Sequence, residues 1–307
     1  MKLRHGLAAG LLLHAFEAVQ AILLIPLFAR VLPAADASFW VALTAAAALV
    51  PLALAGHTQP LVRAIAGIQG DAAGLPAAWP RARAQLLPVA TLLLVLGQAA
   101  FLAWLAWPPA RPSGQQLLAA GLYLLALQFR LRAFTEFIVL NGTRQVGRDK
   151  LFLLGGSAAS LAALLLLSLG TRNIAAMAAG YLLVNAALLW RVRRVTGREG
   201  RTEGRDPASI AGPSRREIAG LVLLNLGGYL NLNTDVVLAN RLLAPEAALQ
   251  YAFWSRLFMA QVAVVGLWTQ LRFPFWVGEH RLGGGELPRP AVLLALGSTL
   301  LFGGWWV

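Results

Sequence analysis

The sequence contains no cysteine, and that absence removes several kinds of chemistry at once. A chain without thiols forms neither a disulfide framework nor a thiolate metal site. Charged residues are scarce too: they make up 13% of the 307 residues, whereas 58% are hydrophobic and the mean hydropathy is +0.66. Soluble domains carry about 25% charged residues. The composition therefore excludes an ordinary soluble domain and indicates a protein that is solvated by lipid.

Signatures of catalysis are also missing. The sequence has no glycine-rich loop of the kind that cradles phosphate, no HExxH metal motif and no convincing Ser–His–Asp set. Several loops between the apolar runs are as short as 33–36 and 171–173, which leaves no room there for a catalytic domain. We therefore expect no catalytic residue, no metal and no cofactor, and we expect that the protein is not an enzyme.

Acidic residues are half as frequent as basic ones, so the net charge is +13 and the isoelectric point is near 11.5. A nucleic-acid-binding protein of this charge would present a solvated basic face with stacking aromatics. Here the arginines cluster between apolar runs instead. The pattern predicts membrane lipids as partners and no nucleic acid.

Apolar runs long enough to cross a bilayer recur along the whole chain. They predict an all-α polytopic membrane helix bundle with eight complete spans and part of a ninth. The predicted spans are 7–29, 37–57, 86–107, 117–140, 151–169, 174–190, 218–242, 247–272 and an incomplete one from 291.

The distribution of basic residues predicts the orientation of these spans. Of the 26 Lys and Arg residues, eighteen fall in segments on the side of the N-terminus. Four fall on the other side, namely Arg30, Arg111, Arg172 and Arg241. Because positively charged loops stay in the cytoplasm, the N-terminus is predicted to be cytoplasmic.

A long polar stretch at 191–217 interrupts the apolar pattern. It is rich in Arg, Gly, Ser and Pro and has no apolar face, which is typical of a flexible linker. It is predicted to be a basic cytoplasmic linker between a lobe of six transmembrane helices at 1–190 and a partial lobe at 218–307.

A weak internal repeat agrees with this boundary. Residues 27–40 are echoed by 238–251 at a shift of 211 residues, with four identities, and both copies lie where one apolar run ends and the next begins. The repeat predicts a two-lobe transporter with a six-helix N-terminal lobe and an incomplete C-terminal lobe. Since 211 of the 307 residues belong to the first half, only 96 remain for the second. We expect a fragment that does not form a closed cavity alone.

Polar residues inside predicted spans are costly, by roughly 2.5–3.5 kcal/mol for a charge on insertion scales, and they usually face partners or a cavity. His14, Glu17 and Gln20 recur every three residues and share one face of the first span. This face is predicted to line the interior. Glu17 either binds a coupling cation or proton, or it forms a structural hydrogen bond to a neighbouring helix.

The fourth predicted span contains Arg130, Arg132 and Glu136. Arg132 and Glu136 are four residues apart and can pair on one face, whereas Arg130 has no acidic residue at helical spacing. Arg130 is therefore a candidate for binding an anionic substrate. The alternative is that it caps carbonyls of a neighbouring helix or extends toward water.

The seventh predicted span is unusually polar, and Asn225 and Asn231 are predicted to line a cavity. Asp235 lies in the same span and Arg256 in the next. These two residues either pair with each other or act on the coupling ion and the substrate.

Three segments resemble a known family. They are VQAILLIPLFARVLPAADASFW, LALAGHTQPLVRAIAG and LNTDVVLANRLLAPEAALQYAFWSRL. They are similar to the first two helices and to the seventh helix of the multidrug/oligosaccharidyl-lipid/polysaccharide exporter superfamily, and within it to the Wzx-like O-antigen flippases of polysaccharide biosynthesis. The turn at 36–38 lacks the glycine that members of the family usually have there.

The resemblance implies two six-helix lobes around a cavity that opens alternately to each side. It implies a flippase in the bacterial inner membrane that moves a polyprenyl-diphosphate-linked oligosaccharide for surface polysaccharide synthesis, with other polysaccharide-assembly proteins as further partners. Arg130, Arg256 and Arg63 are the candidates for the diphosphate, and Glu17 or Asp235 for a coupling ion.

Other functions stay open at this point. A cation-coupled multidrug exporter of the same superfamily fits the same pattern. A polytopic glycosyltransferase or polymerase would need acidic or His residues in a sizeable external loop, and the chain offers only Asp36 and Glu246 there. A structural scaffold in a polysaccharide-assembly complex is a third alternative.

Overall fold

The computed structural model describes residues 2–68, 75–106, 112–142, 146–199 and 215–257. Helices account for nearly all of these residues, and these ranges contain no strand, so the predicted all-α class is confirmed. The helices are α1 Lys2–Val31, α2 Ala34–Ala45, α3 Leu49–Ile68, α4 Leu75–Ala106, α5 Gly114–Gly142, α6 Val146–Thr171, α7 Ile174–Glu199 and α8 Arg215–Leu242. A further helical segment, α9, covers 245–257.

Five helical stretches within the described ranges are long and apolar enough to cross a bilayer. They are Ala34–Thr58, Leu86–Leu105, Gly114–Asn141, Arg148–Thr171 and Ile174–Thr196. Large apolar side chains cover their outer surfaces, as Leu166 and Leu183 do, with 73% and 70% of their area exposed. Such exposure is unfavourable in water and favourable in lipid. The chain is therefore a multi-pass membrane protein, as predicted.

The predicted spans match helices of the structure up to residue 257. The second span is made of α2 and α3, joined by the 3₁₀ turn Ala46–Ala48. Pro51 explains this turn, because it has no N–H to donate to the carbonyl of Ala47 four residues earlier, and the backbone tightens there. Most of the predicted span 247–272, and all of the one from 291, lie outside the described residues.

The core forms around α5, which packs most extensively on α7 and also contacts α3 and α4. Burial differs strongly between spans: 71% of the most apolar stretch of Ala34–Thr58 is buried, against 11% of that of Arg148–Thr171. The α2–α3 span is thus internal, whereas α6 lies at the periphery and faces lipid. The helix α8 runs along α2 and α3.

Helix α7 continues to Glu199, eight residues past the predicted start of the linker at 191. The extension is stabilised by packing, because Val192 is fully buried and the Thr196 hydroxyl donates to Glu136 at 3.1 Å. The boundaries 1–190, 191–217 and 218–307 stay a prediction. By contacts, the chain forms one unit up to Ala252 and a second from Phe253 to Val307, of which the structure describes 253–257.

The two copies of the sequence repeat have the same backbone structure. In each, a helix ends, two residues turn, and a new helix begins. The α6–α7 turn has a corresponding pair of hydrogen bonds, from Arg172 to Ser168 and from Met177 to Asn173, so such bonds are a general feature of these helix junctions. In the two copies of the repeat, the pair closes each turn at the shift of 211 residues. The bonds, from N–H to C=O, are Leu32 to Phe28 at 2.9 Å and Leu243 to Ala239 at 3.0 Å, then Ala37 to Pro33 and Ala248 to Ala244, both at 2.9 Å.

The turn between α6 and α7 depends on two adjacent polar residues. Arg172 has a φ of 51°, in the left-handed region that ends helices. Asn173 then caps α7, since its Oδ1 accepts from the N–H groups of Ala175 at 2.8 Å and Ala176 at 3.1 Å. These bonds satisfy two of the free N–H groups at the start of the helix.

Replacing Asn173 with Ala should destabilise the protein by about 1 kcal/mol, because it removes this cap. The measurement is the thermal unfolding midpoint of the purified protein in detergent. Arg172→Ala is the matched control, since it changes the same turn without touching the cap and is expected to have a smaller effect. Equal effects of the two variants would contradict the capping role.

Candidate functional site

The polar contacts of the bundle gather at the two ends of the helices. At the end opposite the N-terminus, predicted to be external, Ser113 and Gln116 form a reciprocal capping box at the start of α5. The Gln116 amide also donates to Asp36 Oδ1 of α2 at 2.9 Å. One side chain therefore caps a helix and joins two spans.

At the same end, α8 is tied to the preceding helices. The Asn240 amide donates to the backbone carbonyl of Ser38 at 2.7 Å and to its hydroxyl at 2.6 Å. Arg241 donates to the carbonyl of Trp104, the orphan end of α4, at 3.0 Å, and its guanidinium lies 5.7 Å from the Trp104 ring. We call Ser38, Trp104, Asn240 and Arg241 the external contact cluster.

A row of aromatic side chains crosses the interior below this cluster. Phe28 packs edge-on against Trp40, and Trp40 against Tyr123. Tyr123 stacks on Tyr181 with ring centroids 4.9 Å apart. The Tyr181 hydroxyl accepts a hydrogen bond from Arg130. The row thus links α1, α2, α5 and α7 and ends on a cation.

Arg130 lies near the middle of α5, sixteen residues from Gly114, which corresponds to roughly 24 Å along the helix. Its guanidinium is partly buried, donates to Tyr181 and lies 5.4 Å from the Phe134 ring. Arginine has five N–H donors. The aromatic partners thus orient a permanent charge at membrane depth.

A buried carboxylate organises the opposite, predicted cytoplasmic, end. Glu136 is 1% exposed and has no aligned hydrogen bond at Oε1, yet that oxygen lies 2.9 Å from Arg83 Nη1 and 3.7 Å from Arg193 Nε. The Arg83 contact is therefore a close ion pair without hydrogen-bond geometry. Thr196 donates to the other oxygen at 3.1 Å. One acid thus joins α4, α5 and α7.

This arrangement differs from the expected pairing of Glu136 with Arg132 within one helix. Arg132 is exposed, and the acid instead binds arginines of two neighbouring helices. A helical spacing of four permits a local pair but does not favour it over a partner that also buries the carboxylate.

The Glu136 cluster should show strong coupling between its two arginines. Arg83→Gln or Arg193→Gln alone leaves one cation beside the acid, whereas the double variant leaves a buried carboxylate without an arginine. The loss of stability in the double variant should exceed the sum of the single losses by about 1 kcal/mol. Thermal unfolding of the four proteins measures it, and additive losses would contradict the shared pairing.

The predicted coupling-ion candidate Asp235 also has defined contacts. Its Oδ2 accepts from the Tyr251 hydroxyl at 2.9 Å, and its Oδ1 accepts from the N–H of Val236 at 2.7 Å. Tyr251 thus connects α9 to α8. Arg256 lies on α9 within the second unit, and its pairing with Asp235 stays a prediction.

The other predicted site residues are placed by their backbones only. His14 and Glu17 lie on α1, Arg63 on α3, and Asn225 and Asn231 on α8, but their side chains lie outside the described residues. Gln20 is half-buried on α1. Their proposed roles at the cavity, the diphosphate and the coupling ion stay predictions.

The sequence did not single out the residues that connect the helices. Arg83 and Arg193 are counted there as basic loop residues, and Ser38, Asn240 and Tyr181 carry no motif. Their partners lie 51 to 202 residues away. The Ser-x-x-Gln pattern at 113–116 was not singled out either, although a capping box is a signal that a single sequence can show.

The fold and these contacts define a multi-pass helical membrane protein with polar contacts at both helix ends and an oriented arginine between them. No protein-family model, no curated protein and no solved structure matches the chain. The family resemblance of the three quoted segments therefore stays a prediction.

Proposed function

We propose that this protein is a flippase that moves a polyprenyl-diphosphate-linked oligosaccharide across the bacterial inner membrane by alternating access. The observation that carries the proposal is the sequence echo of 27–40 in 238–251, since both copies lie at a two-residue turn between helices at a shift of 211 residues. Repeats of this kind are typical of transporters built from two related halves. One copy joins α1 to α2 and the other joins α8 to α9, on either side of the basic segment from 191.

The position of α8 supports movement between these halves. At the predicted external end, α8 contacts the first half through the hydrogen bonds of Asn240 and Arg241. Each such bond has a small net free energy, about 0.5–1.5 kcal/mol, or somewhat more where a charge takes part. A set of this size can hold one state closed and still break during a transport cycle.

The position of Arg130 supports the proposal that the substrate is anionic. A permanent cation at membrane depth is costly, and its usual uses are an ion pair, a partner in a cavity or a substrate site. Tyr181 and Phe134 orient the guanidinium from the protein side. A planar cation with several donors binds phosphate and carboxylate oxygens through paired hydrogen bonds, and a diphosphate supplies such oxygens.

Arg130→Ala should reduce flipping by roughly tenfold or more, since charge-assisted contacts contribute about 1.5–3 kcal/mol. The full-length protein would be reconstituted in vesicles with a fluorescent polyprenyl-diphosphate oligosaccharide, and the fraction accessible to an impermeant glycosidase would be measured. Arg132→Ala is the matched control on the same helix, because Arg132 is exposed.

Tyr181→Phe separates substrate binding from structural support. It removes the hydrogen bond to Arg130 but keeps the ring that stacks on Tyr123. Substantial flipping is expected in this variant.

Unchanged flipping in Arg130→Ala would remove Arg130 from the site. A wild-type protein that transports hydrophobic cations but no sugar-lipid would favour the multidrug exporter.

Linking Ser38 to Asn240 should arrest the cycle. The natural chain has no cysteine, so Ser38→Cys with Asn240→Cys gives a pair that a short bifunctional thiol reagent can bridge. Bridging should abolish transport, and a cleavable reagent should allow recovery on reduction. The two single-cysteine variants, treated in the same way, are the controls. Full activity of the bridged protein would contradict movement between α8 and α2.

A further inference from the structure

An open groove of about 720 Å³ runs between α6 and α7 in the half of the bundle predicted to lie on the cytoplasmic side. Its walls are apolar and include Phe152, Gly155, Gly156 and Leu188. Two basic side chains, Arg148 and Arg191, line it as well. The groove thus combines an apolar channel with two cations.

Two adjacent glycines explain the shape of the groove. A Cβ at Gly156 would lie 3.1 Å from Leu188 Cδ2, so the missing side chain lets α7 approach closely. A Cβ at Gly155 would meet no atom within 4 Å. The close helix approach and the open space beside it form the floor of the channel.

The length of the groove matches one leaflet. From Arg148 to Ala159 it follows eleven residues of α6, which corresponds to roughly 16 Å at 1.5 Å per residue. Half of a typical hydrocarbon core is about 15 Å. Helix α6 packs on α1 and α7, and 11% of its most apolar stretch is buried, so much of its surface faces lipid.

The neighbouring surface marks the level of the headgroups. Trp190 is 57% exposed, and the Arg194 guanidinium lies 3.6 Å from the centre of its ring. Exposed Trp residues with basic neighbours are typical of the membrane–water interface. Arg191 follows directly in the sequence, so the cationic part of the groove lies near the depth of lipid phosphates.

We infer that this groove binds one anionic phospholipid of the cytoplasmic leaflet. An acyl chain would lie along Gly155 and Gly156, and the phosphate would lie by Arg148 and Arg191. The chemistry follows from charge complementarity, because anionic headgroups attract basic side chains at this surface. The inference is independent of the transported substrate and would hold equally for an exporter.

The experiment is native mass spectrometry of the full-length protein in detergent, titrated with phosphatidylglycerol or with phosphatidylcholine. The wild type should bind one phosphatidylglycerol in clear preference to phosphatidylcholine. Arg148→Gln with Arg191→Gln should weaken phosphatidylglycerol binding roughly 30-fold, as expected for two basic side chains near anionic lipid. Arg30→Gln with Arg172→Gln, at the opposite end, is the control of equal charge.

Gly155→Phe tests the channel without changing charge, because it fills the open space. Gly170→Phe is its matched control, since Gly170 lies on the same helix and also has no atom within 4 Å of its Cβ position. Loss of the lipid in the first variant only is the expected result. The proposal would be overturned by equal binding of phosphatidylglycerol in both glycine variants or by equal binding of the two phospholipids to the wild type. It would also be overturned if a polyprenyl diphosphate displaced phosphatidylglycerol from the groove.

Discussion

The packing of α5 against α7 is the interaction on which the other contacts depend. Tyr123 stacks on Tyr181 within it, and Arg130 then donates to the Tyr181 hydroxyl. Closer to the predicted cytoplasmic end, Glu136 binds Arg193 and Thr196 of α7 across the same interface. Lipid gives helices little hydrophobic reason to associate, so close packing and interhelical polar contacts must supply specificity. Here the close packing and the interhelical polar contacts lie along the α5–α7 pair, and α3 and α4 pack against α5.

The sequence was sufficient to predict the helices and insufficient to predict how they meet. Apolar runs of transmembrane length identified the five stretches that are long and apolar enough to cross a bilayer, since the bilayer fixes the length and type of a spanning element. The predicted spans 7–29 and 218–242 fall on helices α1 and α8, and their crossing of the membrane stays a prediction. The extension of α7 to Glu199 was not predicted, because Arg and Gly in 191–199 suggested a linker, and packing of Val192 against α5 outweighed that local tendency. The composition of a segment indicates whether lipid or water surrounds it, but it does not indicate which helices it packs against.

The candidate site, too, was predicted from the sequence only in part. Arg130 stood out because a charge inside an apolar run is visible in sequence, but its partner Tyr181 lies 51 residues away and carries no motif. The expected local pair of Arg132 and Glu136 gave way to arginines from other helices. The weak repeat was visible in the sequence, and the structure places both copies at a turn between two helices.

Polar contacts at the two ends of the bundle differ in kind, and that difference bears on mechanism. At the predicted cytoplasmic end, the Glu136 cluster joins α4, α5 and α7 around a buried charge, and separating these helices would leave the carboxylate unpaired at a cost of several kcal/mol. At the predicted external end, Asn240 binds Ser38 and Arg241 binds the Trp104 carbonyl, through hydrogen bonds that water can replace. A motion that moves α8 against α2 therefore keeps the expensive contacts and exchanges the inexpensive ones. In the proposed transport cycle, α4, α5 and α7 would therefore move together while α8 moves against α2.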